Sequence, residues 1–121
     1  MQRLFIWVEI PAENLERAKT FYEYLFQIEM PTMALGEDRY AFFPVQEQFN
    51  GGALVQGPKH KPAADGVTVY LDGSPDLATI LTRVIEAGGR VVMEKTYTGK
   101  SSGYLGTFID SEGNRIGLQH M

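Results

Sequence analysis

Residues 3–26 read RLFIWVEIPAENLERAKTFYEYLF, a strand running into a helix, and the fold is decided by what this stretch implies and where it recurs. In Arg3–Ile10, Leu4, Ile6, Val8 and Ile10 alternate with Phe5, Trp7 and Glu9. An aliphatic set at period two is a strand with one face on a core and the other free for aromatic and polar side chains. Pro11 stops that strand. Asn14 is placed to cap a helix through its side-chain oxygen, with Glu16 favourably near the positive helix end. Leu15, Ala18, Tyr22, Leu25 and Phe26 then form one apolar stripe at helical spacing, and the helix is expected to end near Gln27.

The same pattern returns at residues 67–89, VTVYLDGSPDLATILTRVIEAGG. Val67, Val69 and Leu71 alternate with Thr68, Tyr70 and Asp72. Ser74 and Pro75 read as cap and first helical residue, Leu77, Ile80, Leu81, Val84 and Ile85 as the stripe, and Gly88-Gly89 as the stop. Behind each helix come three strand candidates. In the first half they are Ile28–Ala34, Arg39–Pro44 and Gly51–Gln56, with a turn at Gly36-Glu37-Asp38 and a loop at 46–50. In the second half they are Arg90–Lys95, Tyr104–Asp110 and Arg115–His120, with Ser111-Glu112-Gly113-Asn114 as the last hairpin turn. Thr96–Gly103 reads as a hairpin loop, with a lid carrying Tyr97 and Lys100 as the alternative. Strand–helix–strand–strand–strand therefore occurs twice. The expected fold is α+β, with two βαβββ modules forming a cupped eight-stranded mixed sheet and one helix per module on the outer face. In a single domain spanning 1–121, the first module covers 1–56, the linker GPKHKPAADG 57–66, and the second module 67–121.

Composition narrows the chemistry. A chain of 121 residues with 44% hydrophobic content supports one core without help from metal or disulfide. With no cysteine there is no disulfide framework, thiol nucleophile or thiolate metal site. Eleven basic residues against fifteen acidic ones give a net charge of −4, which disfavours phosphate backbones and anionic membranes. Neither nucleic acid nor membrane is an expected partner. No segment reads as a signal peptide or a membrane span, so the expected location is cytoplasmic.

The faces turned from the helices carry Phe5, Trp7 and Glu9 in one module and Thr68, Tyr70 and Asp72 in the other. Apolar walls with a few orienting polar groups suit a small-molecule pocket, and the alternative is contact with solvent or a partner subunit. Arg115, Gly117 and Gln119 project to the same side of the last strand. Glu9 is the carboxylate to watch, as a ligand hydrogen-bond acceptor, a general base, or one half of a plain ion pair with Arg115. Lys59-His60-Lys61 reads as exposed linker charge, with an anionic ligand at the mouth of the cup as its functional alternative. His120 lies at the fraying end, and neither histidine has a serine or acidic partner at triad spacing.

Trp7-Val8-Glu9-Ile10-Pro11, leading to Asn14-Leu15-Glu16-Arg17-Ala18 and Phe21-Tyr22, resembles the vicinal oxygen chelate superfamily of glyoxalase I, bleomycin-resistance proteins and extradiol dioxygenases. So do Glu86-Ala87-Gly88-Gly89-Arg90-Val91 and Phe108-Ile109-Asp110-Ser111-Glu112-Gly113-Asn114-Arg115-Ile116. The resemblance covers the whole chain and implies the fold better than the chemistry. It implies four metal-ligand positions, usually filled by His and Glu. Here they fall on Trp7, on Thr68 or Val67, on Gly117, and within Gly51–Gln56, where no histidine or carboxylate stands. A divalent ion needs three or four such donors, so neither metal nor other cofactor is expected.

What remains resembles the drug-binding branch, which captures a ligand between two protomers. The reading is a homodimer that binds a small organic molecule in a metal-free pocket lined by Phe5, Trp7, Glu9, Thr68, Tyr70, Arg115, Gly117 and Gln119. The alternative is a lyase or isomerase of the glyoxalase type, with Glu9 as its catalytic candidate or with a displaced metal site. A further alternative is a degenerate structural module whose cup is plugged by Trp7.

Overall fold

In the computed structural model, which describes residues 4–44 and 51–121, the first helix begins where Asn14 caps it. The Asn14 side chain accepts from the Arg17 amide at 3.1 Å, and Gln27 closes the helix in left-handed geometry. The first module comprises β1 (Trp7–Pro11), α1 (Leu15–Phe26), β2 (Thr32–Leu35), β3 (Asp38–Phe42) and β4 (Gly51–Gln56). The second comprises β5 (Val69–Asp72), α2 (Leu77–Glu86), β6 (Arg90–Gly99), β7 (Gly103–Ile109) and β8 (Arg115–His120). This is the expected βαβββ plan, repeated. Its eight strands form two four-stranded mixed sheets, ordered β1-β4-β3-β2 and β5-β8-β7-β6. In each, the first strand runs parallel to the last, and the other neighbours are antiparallel. The expected loop at 46–50 lies outside the described residues.

Several boundaries differ from the sequence reading. The described first strand runs Trp7–Pro11, its ladder starting where Trp7 meets Gly51 at the head of β4, while the expected start at Arg3 lies outside the described residues. Leu4, Phe5 and Ile6 precede it and are exposed. Val67 and Thr68 likewise precede β5, whose ladder starts where Val69 meets Ile116, just past the hairpin. The second helix is capped by Asp76, not Ser74, and Pro75 stands outside it after a cis peptide bond. A carboxylate caps as a hydroxyl does and adds a negative charge at the positive helix end. The Asp76 carboxylate accepts from the Ala78 amide at 3.0 Å and from Lys95 Nζ at 2.9 Å. The Lys95 bond first, and then that amide, lower its pKa. Ile85 is exposed, one position beyond the stripe of Leu77, Ile80, Leu81 and Val84. Thr96–Gly103 is mostly strand, since β6 continues to Gly99 through three register shifts and Tyr97 packs on Tyr104.

One core serves both modules. Ile10, Leu15, Ala18, Phe21, Tyr22 and Leu54 of the first belong to the same buried cluster as Leu77, Val84, Phe108, Ile116 and Leu118 of the second. Phe21 meets Phe108 across the junction at 6.2 Å between ring centroids. The polar part of the junction includes the Asp110–Asn114 hairpin, together with bonds from the Tyr24 hydroxyl to Glu86 at 2.7 Å and from Arg83 to the Leu25 carbonyl at 3.0 Å. Asp110, 4% exposed, accepts at Oδ1 from the amides of Glu112 and Asn114, at 2.8 and 2.9 Å. Its Oδ2 accepts from Asn114 Nδ2 at 3.0 Å and from the fully buried Tyr22 hydroxyl at 2.6 Å. Asn114 Nδ2 also donates to the Pro11 carbonyl at 2.7 Å, tying the end of β1 to the start of β8. Gly113 turns the hairpin at φ +97°, a conformation that glycine adopts without penalty.

Beside this network, the Glu112 carboxylate takes the Arg17 guanidinium through Nε and Nη2, at 2.8 and 2.9 Å, and the Asn14 amide at 2.8 Å. Burial opposes its ionisation, but those bonds outweigh burial and leave its pKa lowered. Burial first, and then the Asp110 charge, push the Tyr22 phenol well above its ordinary pKa, so it stays a donor. Tyr22→Phe removes that donor and leaves a buried carboxylate one partner short. The expected cost is about 1–3 kcal/mol, read as a lower denaturant midpoint with the folded circular dichroism spectrum retained. An unchanged midpoint would contradict this role.

Candidate functional site

On β1, residues two apart share a face, so Trp7 and Glu9 lie side by side. The indole Nε1 donates to Glu9 Oε2 at 3.2 Å, holding the ring and the carboxylate together. The ladder carries the same face across β4 to β3. Glu9 stands opposite Ala53 and Ala53 opposite Phe42, while Pro11 stands opposite Val55 and Val55 opposite Tyr40. Ala53 and Val55 are fully buried between their larger neighbours, away from the helix-side core. Tyr40 and Phe42 stack, with centroids 5.9 Å apart and planes within 7°, and Phe42 meets Trp7 at 6.1 Å. The result is an aromatic wall with one carboxylate. Burial, followed by the charges of Glu9 and Asp38, raises the Tyr40 pKa.

Of this wall, Trp7 and Glu9 reach a cleft of about 400 Å³ where the first module meets the second. Trp7, Glu9 and Pro11 line it from β1, and Lys61, Val67 and Arg115 line it from the linker and the second module. Arg115 Nη2 donates to Thr68 Oγ1 at 3.1 Å, and among the described residues no ion pair joins Arg115 to Glu9. The structure therefore brings Trp7, Glu9 and Arg115 to one cleft, with Thr68 holding the arginine.

The other expected pocket residues are placed differently. Phe5 is 80% exposed ahead of β1. Tyr70 pairs with Gly117 across the β5–β8 ladder and lines a separate apolar cavity of about 550 Å³ with Val8, Ile10 and Phe43. Gln119 Nε2 donates to the Ser102 carbonyl at 2.9 Å and so serves the β6–β7 hairpin. Phe42 and Tyr40 were not among the expected site residues. Their alternation in Arg39–Pro44 was visible, but only the ladder register aligns them with Trp7.

The positions at which the resemblance places metal ligands do not fit a metal ion. Trp7 offers an indole whose N–H is a donor, and Gly117 has no side chain and lies beneath the Tyr70 ring. Thr68 is engaged with Arg115, and the only side-chain oxygen on β4, that of Gln56, accepts from the Leu15 amide at 2.6 Å. Among the described residues, no three His, Asp or Glu side chains gather to hold an ion.

Residues 4–118 match the family profile of the glyoxalase/bleomycin resistance protein/dioxygenase superfamily. The chain belongs to that superfamily. Superfamily members among solved structures include a glyoxalase/bleomycin resistance protein from Albidiferax ferrireducens T118. It is 22% identical with a TM-score of 0.72, over 98% of this chain and 100% of that one. UcmS2 is 25% identical with a TM-score of 0.72, over 98% of both chains. Glyoxalase I from Zea mays is 15% identical with a TM-score of 0.64, over 94% of this chain and 44% of its own longer one. No curated protein matches the sequence. Within this superfamily chain, a Cβ at Gly117 would collide with the Tyr70 ring. Gly117→Ala is accordingly expected to displace that ring and cost about 1–3 kcal/mol, measured by thermal unfolding together with the Tyr70 ring resonances. Unchanged stability with an unmoved ring would contradict the fit.

Proposed function

We propose that the protein binds a small organic molecule, without a metal, in the cleft between β1 and the start of the second module. The observation that carries this reading is the Trp7 wall. Its indole is 46% exposed, held by Glu9 and backed by Phe42, which favours a platform over a plug. A flat ligand laid on such a surface gains dispersion and burial at little conformational cost. Arg115 and Glu9 supply the orienting polar groups and Thr68 holds the arginine, whereas Phe5, Tyr70, Gly117 and Gln119 do not line this cleft. We take the working unit to be a homodimer. Leu4, Phe5, Ile6 and Val67 are 72%, 80%, 59% and 92% exposed beside Trp7 and the cleft, an apolar surface that a second copy would cover. We place the protein in the cytoplasm, the setting a cysteine-free chain fits.

Trp7 is the only tryptophan in the chain, so its fluorescence reports on this cleft alone. A panel of small aromatic compounds is expected to include ligands that quench Trp7 and raise the melting temperature. The stabilisation should reach about 2.7 kcal/mol at a hundredfold excess over Kd. Trp7→Ala should weaken those ligands by roughly 2 kcal/mol or more in calorimetric titration. A Trp7→Ala protein that binds them as the parent does would overturn the proposal.

A further inference from the structure

The charges around the cleft narrow the ligand further, given the proposed reading that this cleft is the binding site. Arg115 and Lys61 line it from the second module and the linker, and Glu9 lines it from β1. None of the three is in an ion pair among the described residues. Arg115 spends one N–H on Thr68, which orients its guanidinium and leaves the remaining donors for an acceptor. Glu9 receives the indole N–H at Oε2, and no donor to Oε1 stands among the described residues. The apolar surfaces of Trp7, Pro11 and Val67 line the same cleft as the two cations and the carboxylate.

A simple anion would satisfy Arg115 and Lys61 but face Glu9. A simple cation would satisfy Glu9 but face two like charges. Like charges close together in a partly desolvated cleft disfavour binding, and charge-assisted hydrogen bonds are about twice as strong as neutral ones. We infer that the cleft takes an amphoteric ligand, a flat molecule with a carboxylate at one end for Arg115 and Lys61 and a hydrogen-bond donor at the other for Glu9. A volume of about 400 Å³ suits one ring and its two polar ends.

The test titrates Trp7 fluorescence with three one-ring probes of similar size: 4-(aminomethyl)benzoate, 4-methylbenzoate and 4-methylbenzylamine. The first, with a carboxylate at one end of the ring and an ammonium at the other, should bind tightest. Arg115→Gln should weaken 4-(aminomethyl)benzoate and 4-methylbenzoate about tenfold while leaving the amine unweakened. Glu9→Gln should weaken 4-(aminomethyl)benzoate and the amine but strengthen 4-methylbenzoate. Both side chains are exposed, and circular dichroism confirms that the variants fold. Equal affinities for the three probes, or a ranking with either singly charged probe first, would overturn the amphoteric ligand and leave the cleft as a binding site. No quenching by any of them would remove the cleft reading and this inference together.

Discussion

A buried carboxylate must find donors, and the way Asp110 finds them organises the molecule. Its two oxygens take the amides of Glu112 and Asn114, the Asn114 side chain and the Tyr22 hydroxyl, so every bond closes either its own hairpin or the junction between modules. An ionised carboxylate in a core is tolerated only when it is satisfied in this way. Parting the second module from the first would therefore take the Tyr22 donor away from that carboxylate. Apolar contacts such as Phe21 on Phe108 bring the halves together, while the carboxylate selects one arrangement of them.

That arrangement sets the site. Asn114 binds the Pro11 carbonyl at the end of β1, and the next residue, Arg115, opens β8. The hairpin that joins the modules thus also delivers the arginine to the cleft beside Trp7 and Glu9. Asn114 Oδ1 accepts from the Ala63 amide as well, which holds the linker close to Lys61. One polar network positions both cations, and β1 brings Trp7 and Glu9 to the same cleft. This division is common in proteins whose binding residues sit at element ends on a rigid frame.

Much of the fold was legible in residue order. Asn14, the two helical stripes and the Ser111–Asn114 turn signalled the repeat because capping, periodicity and turn chemistry are local. Gly51–Gln56 and Arg115–His120 appear with the strand limits their sequences imply. What failed was non-local. Leu4 and Ile6 have the alternation of a strand, yet the described ladder begins only at Trp7. At the site, Trp7, Glu9 and Arg115 could be named from their strand faces. The companionship of Phe42 and Tyr40 depends on the β3–β4 register, and the departure of Tyr70 to the Gly117 side depends on that of β5–β8. The role of Asp110 across the junction was likewise invisible, since its Tyr22 partner lies 88 positions away.

The superfamily to which this chain belongs is associated in its name with glyoxalases and dioxygenases as well as resistance proteins, and the fold alone does not choose among them. The choice rests on side chains. An indole, a threonine engaged with arginine, a glycine under a tyrosine ring and a strand whose one side-chain oxygen is occupied supply no ligand set for a divalent ion. The most direct test is elemental analysis of the purified protein after incubation with excess zinc, nickel and manganese and removal of unbound ions. The account predicts bound metal far below one ion per chain. Retention of one ion per chain would contradict it.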